Sequence, residues 1–155
     1  MDRQERIDLI VDHFQHPRHF GPLEPADVVH TGNNPACGDV VTVYVRAAGN
    51  GGPVALAFQG QGCTISQAAA SMAMEMLNGL TLAQIDAATA EPLLDRLGPD
   101  IASARQRCAT LAFDTVKHAC HKLNSHRIVS PRLIHAEQLA DFELEVSQDA
   151  ADIDG

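Results

Sequence analysis

The spacing of apolar residues changes along the chain from helical to alternating and back to helical. The first apolar positions follow helical spacing and end before Pro17, which predicts an amphipathic helix over Arg3–His16. These positions are Ile7, Ile10, Val11 and Phe14. A connector with three prolines follows at Pro17–Pro25, and a short extended piece is expected at Asp27–His30.

Two stretches then show the strict alternation of half-buried strands. The apolar positions of the first are Val41, Val43 and Val45, and those of the second are Val54, Leu56 and Phe58. A loop with three glycines, Ala48–Pro53, lies between them. Two alternating runs around a glycine-rich loop predict an antiparallel hairpin.

Helical spacing returns after the second strand. A stripe of apolar residues predicts a helix that ends at Asn78–Gly79; the stripe is Ile65, Ala69, Met72 and Met76. Shorter helices are expected near Thr81 and over Glu91–Leu97, and a long helix over about Ser103–Leu123 after an interruption at Gly98–Pro99. Strands followed by helices predict an α+β fold, with helices packed on one face of a small antiparallel sheet.

Composition narrows the class of protein. The chain has 155 residues, of which 45% are hydrophobic, enough for one domain with a real core. Eleven basic against twenty acidic residues give a net charge of -9, which argues against a partner such as nucleic acid or an anionic membrane. The sequence pattern that predicts helices and strands weakens past residue 130. We therefore expect one domain over 1–130 and an extension over 131–155 with a loose, partly disordered acidic tail.

No apolar run resembles a secretory signal or a membrane span, so a cytoplasmic location is expected. In that compartment the four cysteines are reduced thiols, and metal binding or catalysis is favoured over a disulfide framework.

The cysteines lie too far apart in sequence for a zinc knuckle, but three of them occupy loops or the ends of elements. Cys37 precedes the first hairpin strand, Cys63 lies where the second strand turns into a helix, and Cys108 opens the long helix. With Asp39 they predict a metal site of three thiolates and one carboxylate. In extended chain, Cys37 and Asp39 share one face. Cys120 lies about 18 Å further along the helix, so we interpret it as a core residue or spare thiol.

These residues also permit plainer interpretations. A single cytosolic cysteine is more often a small buried hydrophobe than a ligand, and an aspartate after glycine is often a turn residue. A purely structural zinc domain and a hydrolytic zinc enzyme also stay open, although hydrolysis needs an open coordination position that Asp39 would fill. Arg105 and Arg107 flank Cys108 and can offset surplus negative charge.

Four segments resemble the U-type iron–sulfur cluster assembly scaffolds, that is SufU, IscU and the N-terminal domain of NifU. The matching segments are Leu9–Arg18, Asn33–Asp39, Phe58–Met74 and Ala104–Phe113. The resemblance implies a SufE/NifU-like α+β fold with about three antiparallel strands and helices on one face. It also implies a scaffold or persulfide sulfurtransferase rather than a conventional enzyme.

The resemblance further implies roles for single residues. Cys37, Cys63 and Cys108 match the thiols that hold a transient [2Fe–2S] cluster or Zn²⁺, and Asp39 matches the carboxylate that ligates zinc or makes the cluster labile. Sulfur is expected as a persulfide from a PLP-dependent cysteine desulfurase, and the cluster is expected to pass to recipient apo iron–sulfur proteins. Cys37 is the expected persulfide acceptor and Cys108 the alternative.

The segment around the third cysteine is most similar to the SufU type. Arg107 precedes Cys108 where IscU proteins have a histidine, and no Leu-Pro-Pro-Val-Lys motif lies upstream. In the SufU type zinc is bound, and the residue that matches Arg105 assists at the site. The usual insertion is absent, because only 44 residues separate Cys63 from Cys108. A zinc-dependent sulfurtransferase that builds no cluster is therefore the main alternative function.

Overall fold

The computed structural model of the protein describes residues 1–129. Its elements in chain order are α1 (Arg3–Gln15), β1 (Val28–Asn34), β2 (Asp39–Ala47), β3 (Val54–Gln61), α2 (Thr64–Leu77), α3 (Leu82–Ala87), α4 (Glu91–Leu97), α5 (Pro99–Ala104) and α6 (Gln106–Val129). Within this range no helix is both long and apolar enough to cross a membrane. The extension predicted over 131–155 lies outside the described residues, so the domain boundary stays a prediction.

The three strands form one antiparallel sheet in the order β1-β2-β3, which confirms the predicted fold class. The inward residues of β2 are fully covered: Val41, Val43 and Val45 are at most 2% exposed. Helix α6 packs on β1 and β2, and α2 packs on β3. Met72 and Met74 of α2 are buried in the resulting core.

Strand β1 is longer than the short extended piece predicted at Asp27–His30. It continues to Asn34, which pairs with Asp39 at the first position of β2. The added residues include Gly32 and two asparagines, which have weak strand propensity. The sequence therefore shows no alternating pattern that would predict this part of the strand. Pairing with β2 overrides that local preference.

Helix α1 forms as predicted, but most of its apolar stripe faces outward. Its first turn is closed by a capping box between Asp2 and Glu5. Ile10 and His13 are the buried residues of the helix. The other positions of the predicted stripe are 40 to 43% exposed, namely Ile7, Val11 and Phe14. Leu9, between them, is partly buried against the core. The helix therefore contacts α2 through a narrow face that includes a histidine.

The long helix predicted from Ser103 is two helices, so that prediction was wrong at its start. Gly98 has φ +95° and ends α4, and Pro99 occupies the first turn of α5, where its missing N–H costs nothing. Arg105 leaves helical geometry with φ -135° and ψ 44°, and α6 begins at Gln106. Cys108 consequently lies in the first turn of α6, as expected.

Candidate metal centre

Cys37 lies on the four-residue turn that joins β1 to β2. The carbonyl of Asn34 accepts hydrogen bonds from the N–H groups of Cys37 (3.1 Å) and Gly38 (2.9 Å). Gly38 has φ +71°, a conformation that glycine adopts without strain. The expectation for an extended chain, that Cys37 and Asp39 share one face, does not hold here, because the chain turns between them at Gly38. The turn itself leaves the Cys37 thiol exposed.

Asp39 is fully buried at the start of β2. Its Oδ1 accepts a hydrogen bond from the N–H of Cys63 at 3.0 Å. Its Oδ2 is buried and has no hydrogen-bond partner among residues 1–129. Buried carboxylate oxygens are normally paired, so this one indicates a partner that the described residues do not supply.

Cys108 reaches the same place from α6. It is 2% exposed, and its Sγ lies 3.5 Å from Cys37 Sγ. Burial raises the pKa of the Cys108 thiol to about 12, and the neighbouring Asp39 and Cys37 act in the same direction. A cation placed among these groups would reverse that effect, because a bound metal favours the thiolate.

Cys63 caps the N-terminus of α2. Its Sγ accepts a hydrogen bond from the N–H of Ser66 at 3.4 Å. Burial and the Asp39 carboxylate oppose ionisation of this thiol, while hydrogen bonds from Ser66 and Cys108 favour it, and the pKa of Cys63 lies below its ordinary value. Gly62 makes the close approach possible, because a Cβ there would collide with Asp39 Oδ1 and lie 2.6 Å from Ser66 Oγ.

The structure thus brings three of the four predicted ligands into one group. One ligand atom from each of Cys37, Asp39 and Cys108 lies within 4.8 Å of the others. Ligand atoms on one tetrahedral zinc are about 3.8 Å apart, so a small inward movement would suffice. Cys63 adjoins the group through its N–H on Asp39, but its Sγ is outside the 4.8 Å group. Its part in a four-ligand set stays a prediction.

The remaining sequence candidates, Arg105 and Cys120, are not part of the group. Arg105 is exposed between α5 and α6, and within residues 1–129 its side chain makes no hydrogen bond or ion pair. Its assisting role also stays a prediction. Cys120 is buried in the hydrophobic core, and burial raises the pKa of its thiol to about 12. It is the core residue that the sequence indicates.

Asn34 contacts the group through Cys108 and was not singled out by sequence. It is 4% exposed, and its Nδ2 donates to Cys108 Sγ at 3.7 Å. Its Oδ1 is buried with no partner in the described part of the chain. The signal that could have found it is its pairing with Asp39, which becomes visible only when β1 is extended past His30.

Comparisons with known proteins bear on the family and the fold of this chain. Residues 5–129 match the family model for the NifU-like N terminal domain. The iron-sulfur cluster assembly scaffold protein IscU 1 of Archaeoglobus fulgidus is 37% identical over 112 residues, which cover 72% of each chain.

Two solved structures share the fold. One is a candidate iron-sulfur cluster assembly scaffold protein for the SUF system from Fervidobacterium islandicum, with 29% identity and a TM-score of 0.59 over 73% of this chain and 94% of that one. The other is the N-terminal part of a nitrogen-fixing NifU-like protein from Brucella abortus, with a TM-score of 0.62 over 77% and 98%. At 24% identity this second likeness bears on the fold alone.

Proposed function

Because the chain belongs to the NifU-like N-terminal domain family, we propose that it is an iron–sulfur cluster assembly scaffold whose cargo is bound by Cys37, Asp39, Cys63 and Cys108. One observation carries the proposal. The ligand atoms of Cys37, Asp39 and Cys108 lie within 4.8 Å of one another, and a buried oxygen of Asp39 has no partner among residues 1–129.

The donor set suits the cargo. Thiolates bind both iron–sulfur clusters and zinc, and a carboxylate in place of a fourth thiolate gives a weaker ligand that can be exchanged. Zn²⁺ and an oxidised [2Fe–2S] core carry the same formal charge, so electrostatics favours neither. The position of Asp39 also suits release of the bound cluster, because Asp39 is the first residue of β2 and lies beside the exposed Cys37 turn.

We assign the persulfide acceptor to Cys37. Its thiol is exposed on the turn, whereas Cys108 is 2% exposed. In the transfer, the Cys37 thiolate attacks the outer sulfur of a persulfide on a PLP-dependent cysteine desulfurase. The sulfur–sulfur bond of that persulfide breaks, the desulfurase thiolate leaves, and the sulfur stays on Cys37 as a new persulfide. Arg105, exposed three residues before Cys108, would offset the negative charge that approaches.

A second function, zinc-dependent sulfur transfer without cluster assembly, is favoured by the same exposed turn. Cys37 can detach from a metal by movement of the turn while Asp39 and Cys108 stay on their strand and helix. Zinc would then hold the site together between transfers. A purely structural zinc domain has less support, because the ligands are not grouped in closely spaced cysteine pairs.

The deciding experiment is assembly driven by a cysteine desulfurase, free cysteine, ferrous iron and a thiol reductant without oxygen, because reduction of persulfide sulfur to sulfide takes more electrons than the iron supplies. We expect iron and acid-labile sulfide in equal amounts, near one [2Fe–2S] per monomer or dimer, and transfer to an apo iron–sulfur protein. Tightly bound zinc with no sulfide, together with a persulfide on Cys37, would establish the second function instead. Normal assembly by a Cys63→Ala variant would contradict the scaffold proposal.

The proposed chemistry needs reduced thiols. It therefore fits the cytoplasmic location expected from the sequence, where disulfides are rare.

A further inference from the structure

Asn34 is the polar residue of the candidate metal centre that the proposed function leaves without a role. Its backbone and its side chain act separately. The backbone carbonyl accepts two hydrogen bonds that shape the Cys37 turn. The side chain points away from solvent toward α6, where Nδ2 lies 3.7 Å from Cys108 Sγ. Any residue could supply the carbonyl, so the turn does not explain the amide.

Fold stability does not explain the amide either. Its Oδ1 is buried without a partner within residues 1–129, so half of its hydrogen-bonding capacity is unused. An apolar side chain of similar size at the end of β1 would leave no such unpaired atom. The neighbouring Asn33 gives the contrast, because it has the same side chain but is exposed on the opposite face of β1.

The geometry points to Asn34 as a positioning residue for the metal-bound sulfur of Cys108, through a hydrogen bond from its Nδ2 to Sγ. This inference rests on the proposed function and names a residue that acts through a ligand without touching the cargo. A donor on a ligating sulfur withdraws electron density from it and fixes its direction. Hydrogen bonds to sulfur are one of the means by which proteins tune iron–sulfur clusters.

Cobalt(II) is the probe, because it occupies zinc-type sites and reports thiolate ligation through a near-ultraviolet charge-transfer band, whereas Zn²⁺ is silent. Metal-free wild-type protein and the Asn34→Leu variant are titrated with cobalt(II) without oxygen. Leucine has the same branched shape as asparagine, is somewhat larger and lacks the donor. We expect the Asn34→Leu band to shift to longer wavelength, since loss of the hydrogen bond raises the energy of the sulfur electrons. Loss of an outer partner also predicts affinity about 10- to 100-fold lower.

Asn33→Leu is the matched control and should superimpose on wild type in both band position and affinity. Asn34→Ala removes the same donor without adding volume, so it gives the same test if leucine disturbs the fold. Circular dichroism of each metal-free variant confirms that the sheet and α6 are formed before the titration.

The outcomes separate this inference from the proposed function. A shifted band in Asn34→Leu or Asn34→Ala, with Asn33→Leu unchanged, supports the inference. An unshifted band in folded Asn34 variants overturns it, whether or not affinity falls, and leaves the proposed function intact. A wild-type protein that shows no thiolate-to-cobalt band overturns the proposed function and this inference together.

Discussion

Two buried polar clusters among the described residues differ in whether those residues supply all the hydrogen-bond partners. In the first, at the junction of α1 and α2, His13 Nδ1 lies 2.7 Å from Ser71 Oγ, and the N–H of Arg18 donates to the same oxygen at 2.8 Å. In the second, the candidate metal centre, Asp39 Oδ2 and Asn34 Oδ1 are buried with no partner inside residues 1–129.

Polar groups whose hydrogen bonds are all made within the protein stabilise the fold, whereas buried polar groups without a partner are available to bind a ligand. A closed hydrogen-bond network joins two helices and needs nothing from outside. An open one is a cost to the folded chain, and it is compensated when something binds. Histidine, serine and cysteine are all candidate functional residues in a sequence. Only their hydrogen-bond partners in the structure show which of them stabilise the fold and which could bind a ligand.

The largest expected effect comes from removing a ligand of the open cluster. Cys108→Ala should abolish retention of zinc or cluster, because one of the three grouped ligand atoms is lost. Cys120→Ala is the control, since it makes the same change on the same helix but in the hydrophobic core. Metal and sulfide analysis after gel filtration measures both. Equal retention by the two variants would remove Cys108 from the site.

Breaking the closed cluster should affect stability and leave metal content unchanged. Ser71→Ala removes the partner of both His13 Nδ1 and the Arg18 N–H, which predicts a loss of about 1–3 kcal/mol in the free energy of unfolding. Ser103→Ala is the control, because this exposed hydroxyl bonds only to carbonyls of its own helix. Urea unfolding of the metal-free proteins measures the effect. A loss in Ser71→Ala no larger than in Ser103→Ala would show that the network contributes little.

The closed cluster also predicts a modest pH dependence. Burial lowers the pKa of His13 below its ordinary value, and Arg18 and Arg96 act in the same direction. Glu75 and Asp12 oppose them without reversing the shift. The folded chain therefore binds fewer protons than the unfolded one. The His13 contribution is complete above about pH 6.5 and decreases as the pH falls, by no more than about 1.4 kcal/mol per pH unit.

This dependence is measured by unfolding metal-free protein between pH 7.5 and 5. In His13→Asn, which keeps a polar atom near the Nδ1 position, the slope over this range should flatten. An unchanged slope in that variant would assign the pH dependence to other groups.

The smallest effect on unfolding is expected from Asp39→Ala. The variant loses the hydrogen bond between Oδ1 and the Cys63 N–H, which lowers the free energy of unfolding. It also removes the unpaired Oδ2, which raises it, so the net change is within about 1 kcal/mol. As a scaffold, the variant should keep its fold and hold an assembled cluster longer than wild type. A variant that unfolds once purified would instead indicate a structural metal site. Thermal unfolding together with the decay of cluster absorbance distinguishes the two.

Much of the fold could be predicted, because strong patterns coincide with elements that pack by those patterns. The alternating valines of β2 are buried as expected. In the stripe of α2, Ala69 and Met72 are buried, while Ile65 and Met76 are partly buried against the core. The failures have local causes. The glycine and asparagines of β1 weaken its pattern, and the outward stripe of α1 cannot be told from an inward one by periodicity alone.

The candidate site shows the same limit at finer scale. Cys37, Asp39 and Cys108 could be chosen from sequence because their residue types and element ends are informative. Asn34 could not, because its importance arises from strand register and from α6, which begins 72 residues later. Likewise, nothing in the sequence places His13 of α1 opposite Ser71 of α2.

The distance in sequence between Cys37 and Cys108 connects cargo affinity with chain entropy. The two sulfurs are 71 residues apart along the chain yet 3.5 Å apart in space. In an unfolded chain, closing a loop of that length costs roughly 4 kcal/mol. In the folded protein, packing of α6 on the sheet already holds the two cysteines together, so metal binding does not require this loop to close. Separation of α6 from the sheet would therefore weaken the grip on a bridging ion about a thousandfold, without any change in a ligand.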